Sequence, residues 1–253
     1  MNRSFVDLVD EANAVSVDGW DFSWLEGRAW EERPSWGYAW RMARRLATAK
    51  AALDIQTGGG EVLNEAETLP KLMVATEGWP PNVEKATRLL SPRGVAVVAD
   101  EDQPPLPFAD NTFDLVLSRH PVTAYWDDIA RVLAPGGTYF SQQVGPASVF
   151  ELTEFFLGPQ DDQTRNSRHP DFAVEGAKKA GLDVVDLRSQ RLRMEFHDIG
   201  AVIYFLRKVI WIVPGFTVED NLEKLRKLHD RIEADGVFVA HSARFLIEAR
   251  KPA

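Results

Sequence analysis

The stretch AALDIQTGGGEVL, residues 51–63, joins an apolar run to an acid, Asp54, and then to three glycines. AALDI has the composition of a short buried strand. Gly58 and Gly60 allow the backbone to turn sharply and to approach a ligand closely. A strand, a glycine-rich turn and a helix form the usual cradle for a nucleotide-like ligand, so this stretch predicts such a site.

Spacing separates the ligand classes that use such turns. A phosphate-binding loop of the G-x-x-x-x-G-K-[ST] type is excluded because no lysine follows Gly60. A dinucleotide fingerprint, G-x-G-x-x-G, is incomplete because Leu63 occupies the third glycine position. The adenosyl cofactor of methyl transfer is the third class.

Strand and helix patterns alternate on the C-terminal side of this turn. KLMVAT, GVAVVA, FDLVLS and TYFSQQV are typical of strands, and PNVEKATRLL and AYWDDIARVLA are typical of helices. Such alternation with short connections predicts a doubly wound α/β sheet that is parallel at least through its centre.

The C-terminal half has a different pattern. LDVVDLRSQRLRMEF predicts a long strand, two helical segments follow, and FVAHSARFLIEARK predicts a final strand. We expect the final strand to lie beside the long strand as an antiparallel edge. The whole chain, 1–253, is thus interpreted as one domain with an N-terminal helical lid (1–50), a cofactor-binding core (51–145) and a C-terminal half (146–253) with helices inserted at 198–235.

Composition limits the classes of function. The net charge of -9 disfavours broad nucleic-acid binding, which needs a positive face. Arg188, Arg191 and Arg193, which we expect to share one face of the long strand, are the main sequence support for an RNA partner. No cysteine, secretory signal or apolar stretch of about 18 residues is present. A cytoplasmic protein that does not associate with membranes is expected.

The segment from Asp54 to Gly60, DIQTGGG, resembles the first motif of the class I S-adenosylmethionine-dependent methyltransferases, D/E-x-G-x-G-x-G after an apolar strand. Two of the three family glycines match, and Gln56 replaces the first. DEDQPPLPFADNTFDLVLSRH and IARVLAPGGTYF resemble later family segments, so the resemblance covers about residues 50–145. It implies a seven-stranded, mostly parallel sheet with an antiparallel edge strand, helices on both faces, and S-adenosylmethionine as cofactor.

The resemblance also implies which residues contact the cofactor. Glu77, 17 residues after Gly60, would accept hydrogen bonds from both ribose hydroxyls, a task that suits a carboxylate. Asp102, with Gln103 beside it, would hold the adenine amino group, and Asp100 is the alternative. Ser118 and Arg119 would lie near the methyl end. The full expected set is Asp54, Gln56, Thr57, Gly58, Gly60, Glu77, Gly78, Trp79, Asp102, Gln103, Ser118 and Arg119.

His120 is the candidate catalytic residue, because histidine can take a proton near neutral pH; a structural hydrogen bond is the alternative. SRHP does not match the [DNS]-P-P-[YFW] segment of enzymes that methylate amino groups of planar bases, which disfavours adenine and cytosine. Asp198 is expected to be a helix N-cap rather than a pocket residue. The scattered histidines predict no metal site.

Five tryptophans, Trp20, Trp24, Trp30, Trp36 and Trp40, fall within residues 1–50. They either pack this segment onto the sheet or line a lid over the substrate. The leading functional hypothesis is an S-adenosylmethionine-dependent methyltransferase that acts on a small molecule. Two alternatives are an RNA base methyltransferase and a non-catalytic adenosyl-binding module.

Overall fold

The computed structural model of the protein describes residues 3–19, 21–101 and 103–253. The chain divides into two compact units. The first comprises residues up to 33, 146–168 and 191–243, and the second comprises 34–145, 169–190 and 244–253.

In the part of the chain that the structure describes, eight strands form the sheet. They are β1 (Ala29–Glu31), β2 (Ala51–Ile55), β3 (Leu72–Glu77), β4 (Ala96–Ala99), β5 (Phe113–Arg119), β6 (Leu133–Val144), β7 (Asp183–Phe196) and β8 (Phe238–Arg250). Hydrogen-bonded neighbours follow the order β1-β7-β8-β6-β5-β2-β3-β4. The pairs β2/β3, β2/β5, β3/β4 and β5/β6 are parallel, whereas β6/β8 and β1/β7 are antiparallel. The mostly parallel doubly wound sheet is thus confirmed.

Antiparallel strands form one edge of the sheet, and the final strand lies beside the long strand, as predicted, but the strand number and the position of the final strand at the edge were wrong. The sheet has eight strands because Ala29–Glu31, in a segment predicted to be helical, pairs with Met194–Phe196 of β7. The final strand, β8, is not an edge, since it has β7 on one side and β6 on the other.

Ten α-helices connect or flank the strands of the described chain. They are α1 (Phe5–Ala14), α2 (Tyr38–Leu46), α3 (Glu61–Asn64), α4 (Pro80–Leu90), α5 (Trp126–Val132), α6 (Phe150–Leu157), α7 (Asp162–Asn166), α8 (Pro170–Lys179), α9 (Ile199–Lys208) and α10 (Leu222–Asp235). Two 3₁₀ turns lie at Ser23–Leu25 and Ser91–Arg93. Among the described helices, none is long and apolar enough to cross a membrane.

Both faces of the sheet in the second unit are buried, which explains why β2 is apolar apart from Asp54. Along β2, Ala52 packs into one core cluster and Leu53 into another, as expected for side chains that alternate between the faces of a strand. The first cluster is completed by residues of α2 and α4, and the second by residues of α5 and α8. Helices therefore cover both faces, as predicted.

The first unit has its own core, built largely from α1, α6, α9 and α10. Ser4 and Asp7 form a capping box at the start of α1. At the start of α9, Asp198 Oδ1 accepts a hydrogen bond of 2.8 Å from the Ala201 amide. Arg28 binds both oxygens of the same carboxylate at 2.8 Å. Asp198 is therefore a helix N-cap, as the sequence indicated.

The segment 1–50, interpreted as one lid, is divided between the units at residue 33. Trp36, Tyr38, Met42 and Leu46 are buried in the core of the second unit. In the first unit, Trp24 lies 4.8 Å from Tyr204 between ring centroids, whereas Trp30 is half exposed. Trp20 lies outside the described residues. That the segment acts as a lid stays a prediction.

Candidate functional site

The candidate site lies in the second unit, where β2 and β5 are neighbours. β3 and β4 extend the sheet on one side of this pair, and β6 extends it on the other. Ligands of doubly wound sheets bind at the carboxyl ends of the strands where the strand order reverses in this way. The glycine-rich turn follows β2 at that position, and His120 follows β5.

The glycine-rich turn is held against the end of β3. The Thr57 amide donates to the Thr76 carbonyl at 2.9 Å, and the Gly58 amide donates to Glu77 Oε2 at 2.7 Å. Gly58 (φ +65°) and Gly60 (φ +83°) occupy the left-handed region, which glycine adopts without strain. A Cβ atom on Gly60 would also lie 2.7 Å from Leu90 Cδ1. The turn therefore needs glycine at 60 for both conformation and space.

Glu77 is buried at the end of β3, and both of its carboxylate oxygens are held by backbone amides. Besides the Gly58 contact, Glu77 Oε1 accepts from the Trp79 amide at 3.0 Å. A carboxylate oxygen has more than one acceptor position, so a further donor can bind each oxygen. Glu77 thus presents a fixed acceptor beside the turn.

Asp54 is a second buried carboxylate at the base of the turn, bound by Thr57 Oγ1 at 2.7 Å. Burial raises the pKa of Asp54 from 3.8 to about 7; the Thr57 hydrogen bond and the Arg119 charge oppose this shift, and Glu77 adds to it. Removal from water disfavours the ionised form, which explains the direction. Asp54 can therefore change its charge near neutral pH.

Gln56 connects the turn to the loop after β5, although its backbone (φ +57°) lies in the region that favours glycine. Its side-chain Oε1 accepts from the Val122 amide at 2.7 Å, and its Nε2 lies 3.4 Å from the Thr123 carbonyl oxygen. A glycine here, as in the family motif, could make neither contact. Gln56 is therefore a tie between two loops as well as a turn residue.

A small concave pocket lies between Gln56 and this loop. Ile55, Leu106 and Ile129 supply apolar walls, and Ser118, Tyr125 and Tyr139 supply hydroxyls. Below the pocket, Ser118 Oγ lies 2.7 Å from Tyr139 Oη and 2.9 Å from Ser141 Oγ. The Ser118 hydroxyl is therefore engaged in a buried network.

His120 follows the last residue of β5 and is fixed by Gln142 of β6. The His120 amide donates to the Gln142 carbonyl at 2.7 Å, and His120 Nε2 lies 2.9 Å from Gln142 Nε2. Gln142 Oε1 in turn accepts from Trp36 Nε1 at 2.8 Å. No sequence pattern predicted a role for Gln142, because its partners His120 and Trp36 are 22 and 106 residues away along the chain.

The remaining expected residues surround the same edge. Gly78 is half-buried, Trp79 and Arg119 are exposed, and Gln103 Oε1 lies 3.5 Å from Tyr125 Oη. Asp102 lies outside the described residues. The Asp100 amide donates to the Glu77 carbonyl at 3.1 Å. Within the described residues, no group of three or more histidines or acids could hold a metal ion.

The prediction that Arg188, Arg191 and Arg193 share one face of β7 was wrong. Strand side chains alternate, so Arg188 lies on the opposite face from Arg191 and Arg193. Each also contacts an acid: Asp186, Glu151 and Glu195 respectively.

Comparison with known proteins identifies the fold and the domain. Residues 53–141 match the family model described as a methyltransferase domain. The chain carries a class I S-adenosylmethionine-dependent methyltransferase domain. It is thus a methyltransferase enzyme with S-adenosylmethionine as cofactor. A comparison with curated proteins finds no sequence match.

Solved structures share the fold of this methyltransferase at low identity. The YcgJ protein of Bacillus subtilis is 15% identical, with a TM-score of 0.59, and the match covers 85% of this chain and 98% of that one. The phosphoethanolamine N-methyltransferase 2 of Haemonchus contortus, in complex with S-adenosylmethionine, is 17% identical, with a TM-score of 0.51. That match covers 99% of this chain and 60% of the other.

The site fits this cofactor on its own geometry. Gly58 and Gly60 give the turn the left-handed backbone that a sharp bend needs, and two buried carboxylates, Asp54 and Glu77, lie beside it. A cationic ligand with paired hydroxyls suits such an acidic cradle.

Proposed function

We propose that this methyltransferase acts on a small molecule bound at the carboxyl ends of β2 and β5. When bound, the cofactor would supply an electrophilic methyl group for transfer to the acceptor. The observation that carries the proposal is the tie of Gln56 to Val122 and Thr123, which links the glycine-rich turn to the wall of the pocket.

On the cofactor side, we assign the ribose hydroxyls to Glu77 and the positively charged end to Asp54. Glu77 is fixed by two backbone amides, so little conformational freedom is lost when a ligand binds it. Gln103 and Asp102, or Asp100 instead, are assigned to the adenine ring. Gly78, Trp79, Ser118 and Arg119 complete the proposed cofactor contacts.

On the acceptor side, the pocket is small and its surface is almost entirely apolar, because the Ser118 and Tyr139 hydroxyls are buried and bonded to each other. Such a lining suits a small apolar group of the acceptor molecule. In-line displacement depends mainly on how the two reactants are positioned. The Haemonchus contortus protein, by its name, methylates a small amine, which shows that small acceptors occur on related folds.

An RNA acceptor has less support. The arginines that suggested it lie on two faces of β7 and contact acids, and the chain has a net charge of -9. Binding of RNA requires a positive surface that neutralises phosphates.

The experiment that tests the proposal uses S-adenosylmethionine labelled with tritium in the methyl group. The protein is incubated with it and either a low-molecular-weight cell extract or total RNA of the same cells. We expect label in the low-molecular-weight extract, and less of it when Glu77→Ala replaces the wild type at a limiting cofactor concentration. Label that stays with RNA and is released by ribonuclease would refute the small-molecule assignment.

A lid role for residues 1–50 is tested separately by hydrogen exchange and tryptophan fluorescence. Truncation is unsuitable, because Phe5 and Leu8 are buried in the core of the first unit. The lid hypothesis predicts that S-adenosylmethionine slows amide exchange in 3–19 and changes a fluorescence signal that Trp24→Phe reduces. Identical exchange and fluorescence with and without cofactor would contradict it.

A further inference from the structure

Three side chains of the second unit form a line of hydrogen bonds that ends at His120. Trp36 Nε1 lies 2.8 Å from Gln142 Oε1, and Gln142 Nε2 lies 2.9 Å from His120 Nε2. Trp36 and Gln142 are 5% and 4% exposed, so water does not compete for the bond between them, and His120 at the end of the line is half-buried. Buried polar groups of this kind must be satisfied by one another.

The donor properties of the three groups determine where the histidine proton is. An indole nitrogen can only donate, so the Gln142 atom that faces Trp36 is the amide oxygen. The amide nitrogen therefore faces His120, and an amide nitrogen also only donates. His120 Nε2 must then accept, which requires Nε2 without a proton. In the neutral ring, the proton is consequently on Nδ1.

The backbone of His120 also restricts the position of its ring. His120 has φ +57°, a conformation uncommon for residues other than glycine, asparagine and aspartate. It is held there by the bond from its own amide to the Gln142 carbonyl, one residue beyond the Arg119–Gln142 pair of the sheet. His120 is thus bound to one residue, Gln142, through both its backbone and its ring.

We propose that Trp36 and Gln142 are positioning residues that hold His120 as the Nδ1–H tautomer, so that His120 serves the acceptor as a hydrogen-bond donor and not as a general base. A donor of this kind recognises an oxygen that carries a lone pair, such as a carboxylate, phosphate or carbonyl oxygen of the acceptor molecule. This role rests on the proposed function for placing the acceptor beside β5.

The tautomer is measured by NMR on protein labelled with ¹⁵N-histidine. The chain has five histidines, and the His120 signals are those missing from His120→Asn. We expect Nδ1 of His120 at the shift of a protonated ring nitrogen and Nε2 at that of an unprotonated one. A protonated Nε2, or averaged shifts like those of free imidazole, would overturn the proposal.

Two variants test whether the line of hydrogen bonds is the cause. Gln142→Glu keeps an acceptor for Trp36 and presents a second carboxylate oxygen to His120, so the proton should move to Nε2. Trp36→Phe removes the indole donor and allows the Gln142 amide to turn over, so the strict Nδ1–H preference should be lost. The matched control is Gln143→Glu, the same change on the opposite face of β6, and it should leave the tautomer unaltered. An unaltered tautomer in folded Gln142→Glu would contradict the mechanism.

A second pair of variants distinguishes a hydrogen-bond donor role of His120 from a general-base role. Asparagine tolerates the left-handed backbone and retains an amide donor, but it cannot act as a base. We expect His120→Asn to retain a larger share of the wild-type kcat/KM than His120→Ala, which should lose about tenfold, the effect of about one hydrogen bond. Equal losses in both variants would refute the donor role. Absence of any methyl transfer would instead refute the proposed function, while the NMR result would still decide the tautomer.

Discussion

Replacement of Asp54 by asparagine should change how the stability of the protein depends on pH. Asp54 is 6% exposed, and burial is the main reason why its pKa rises from 3.8 to about 7. Asparagine keeps an oxygen that can accept the hydrogen bond from Thr57 but has no charge at any pH. The variant therefore removes the titration with little change of shape.

The magnitude and sign follow from the two pKa values. The folded protein binds the Asp54 proton more tightly than the unfolded chain does, so the free energy of unfolding falls as pH rises between the two values. The stabilisation is fully present below about pH 4 and is lost as pH rises through about 7. A shift of about three units corresponds to about 4 kcal/mol, at 1.36 kcal/mol per unit.

Urea denaturation of cofactor-free protein between pH 5 and pH 8 measures this effect. Asp54→Asn should be the more stable form relative to wild type at pH 8, and its advantage should shrink by about 3 kcal/mol by pH 5, since about two of the three pKa units lie above pH 5. Asp230→Asn, which removes an exposed acid, is the control for net charge. An advantage of Asp54→Asn that is the same at every pH would refute the assigned pKa.

The same titration predicts proton release when cofactor binds. A positive charge near Asp54 favours its ionised form, so below pH 7 up to about one proton should leave for each S-adenosylmethionine bound. Calorimetry in two buffers of different ionisation enthalpy counts these protons. No difference between wild type and Asp54→Asn would mean that the cation does not lie at Asp54.

Three further predictions concern the turn. Glu77→Ala should weaken S-adenosylmethionine binding by about tenfold or more, since a hydrogen-bonding charged group contributes roughly 1.5–3 kcal/mol; an unchanged dissociation constant would mean that another acid holds the ribose. Gln56→Gly should relieve its left-handed backbone and speed amide exchange at Val122, whereas unchanged exchange would show that the tie is weak. Gly60→Ala should lower stability by about 1–2 kcal/mol because of its positive φ. Gly59→Ala, whose new methyl group meets only the flexible Glu61 side chain, should cost less, and equal losses in urea denaturation would contradict this account.

Regular elements of the second unit could be predicted because their sequence patterns are local. Apolar runs such as AALDI and FDLVLS are observed as β2 and β5, with Pro80 at the first position of α4. The strand β1 was missed because three residues, Ala29–Glu31, are too few to show periodicity, and only the distant β7 makes them a strand. Composition could not decide between packing and a lid role for Trp36, because the burial of Trp36 depends on contacts with distant residues.

The sequence predicted the residues of the glycine-rich turn, but it did not predict which residues they contact. The glycines and Glu77 could be recognised by their spacing along the chain, and the structure brings them together. The contacts of Gln56 and Gln142 connect residues more than 20 positions apart, so no local pattern encodes them. Burial of Asp54, which determines its pKa, likewise depends on the whole packed unit.

The amide of Gln56 makes the two halves of the site energetically dependent on each other. It bonds the loop at Val122 and Thr123 from within the turn assigned to the cofactor. A ligand that immobilises the turn also restricts this loop. A second ligand that contacts the loop then binds without the entropy loss of ordering it. Binding of cofactor and acceptor should therefore be positively cooperative, and thermodynamic linkage requires each to tighten the other by the same factor. The enzyme would then retain its cofactor most firmly when an acceptor is present.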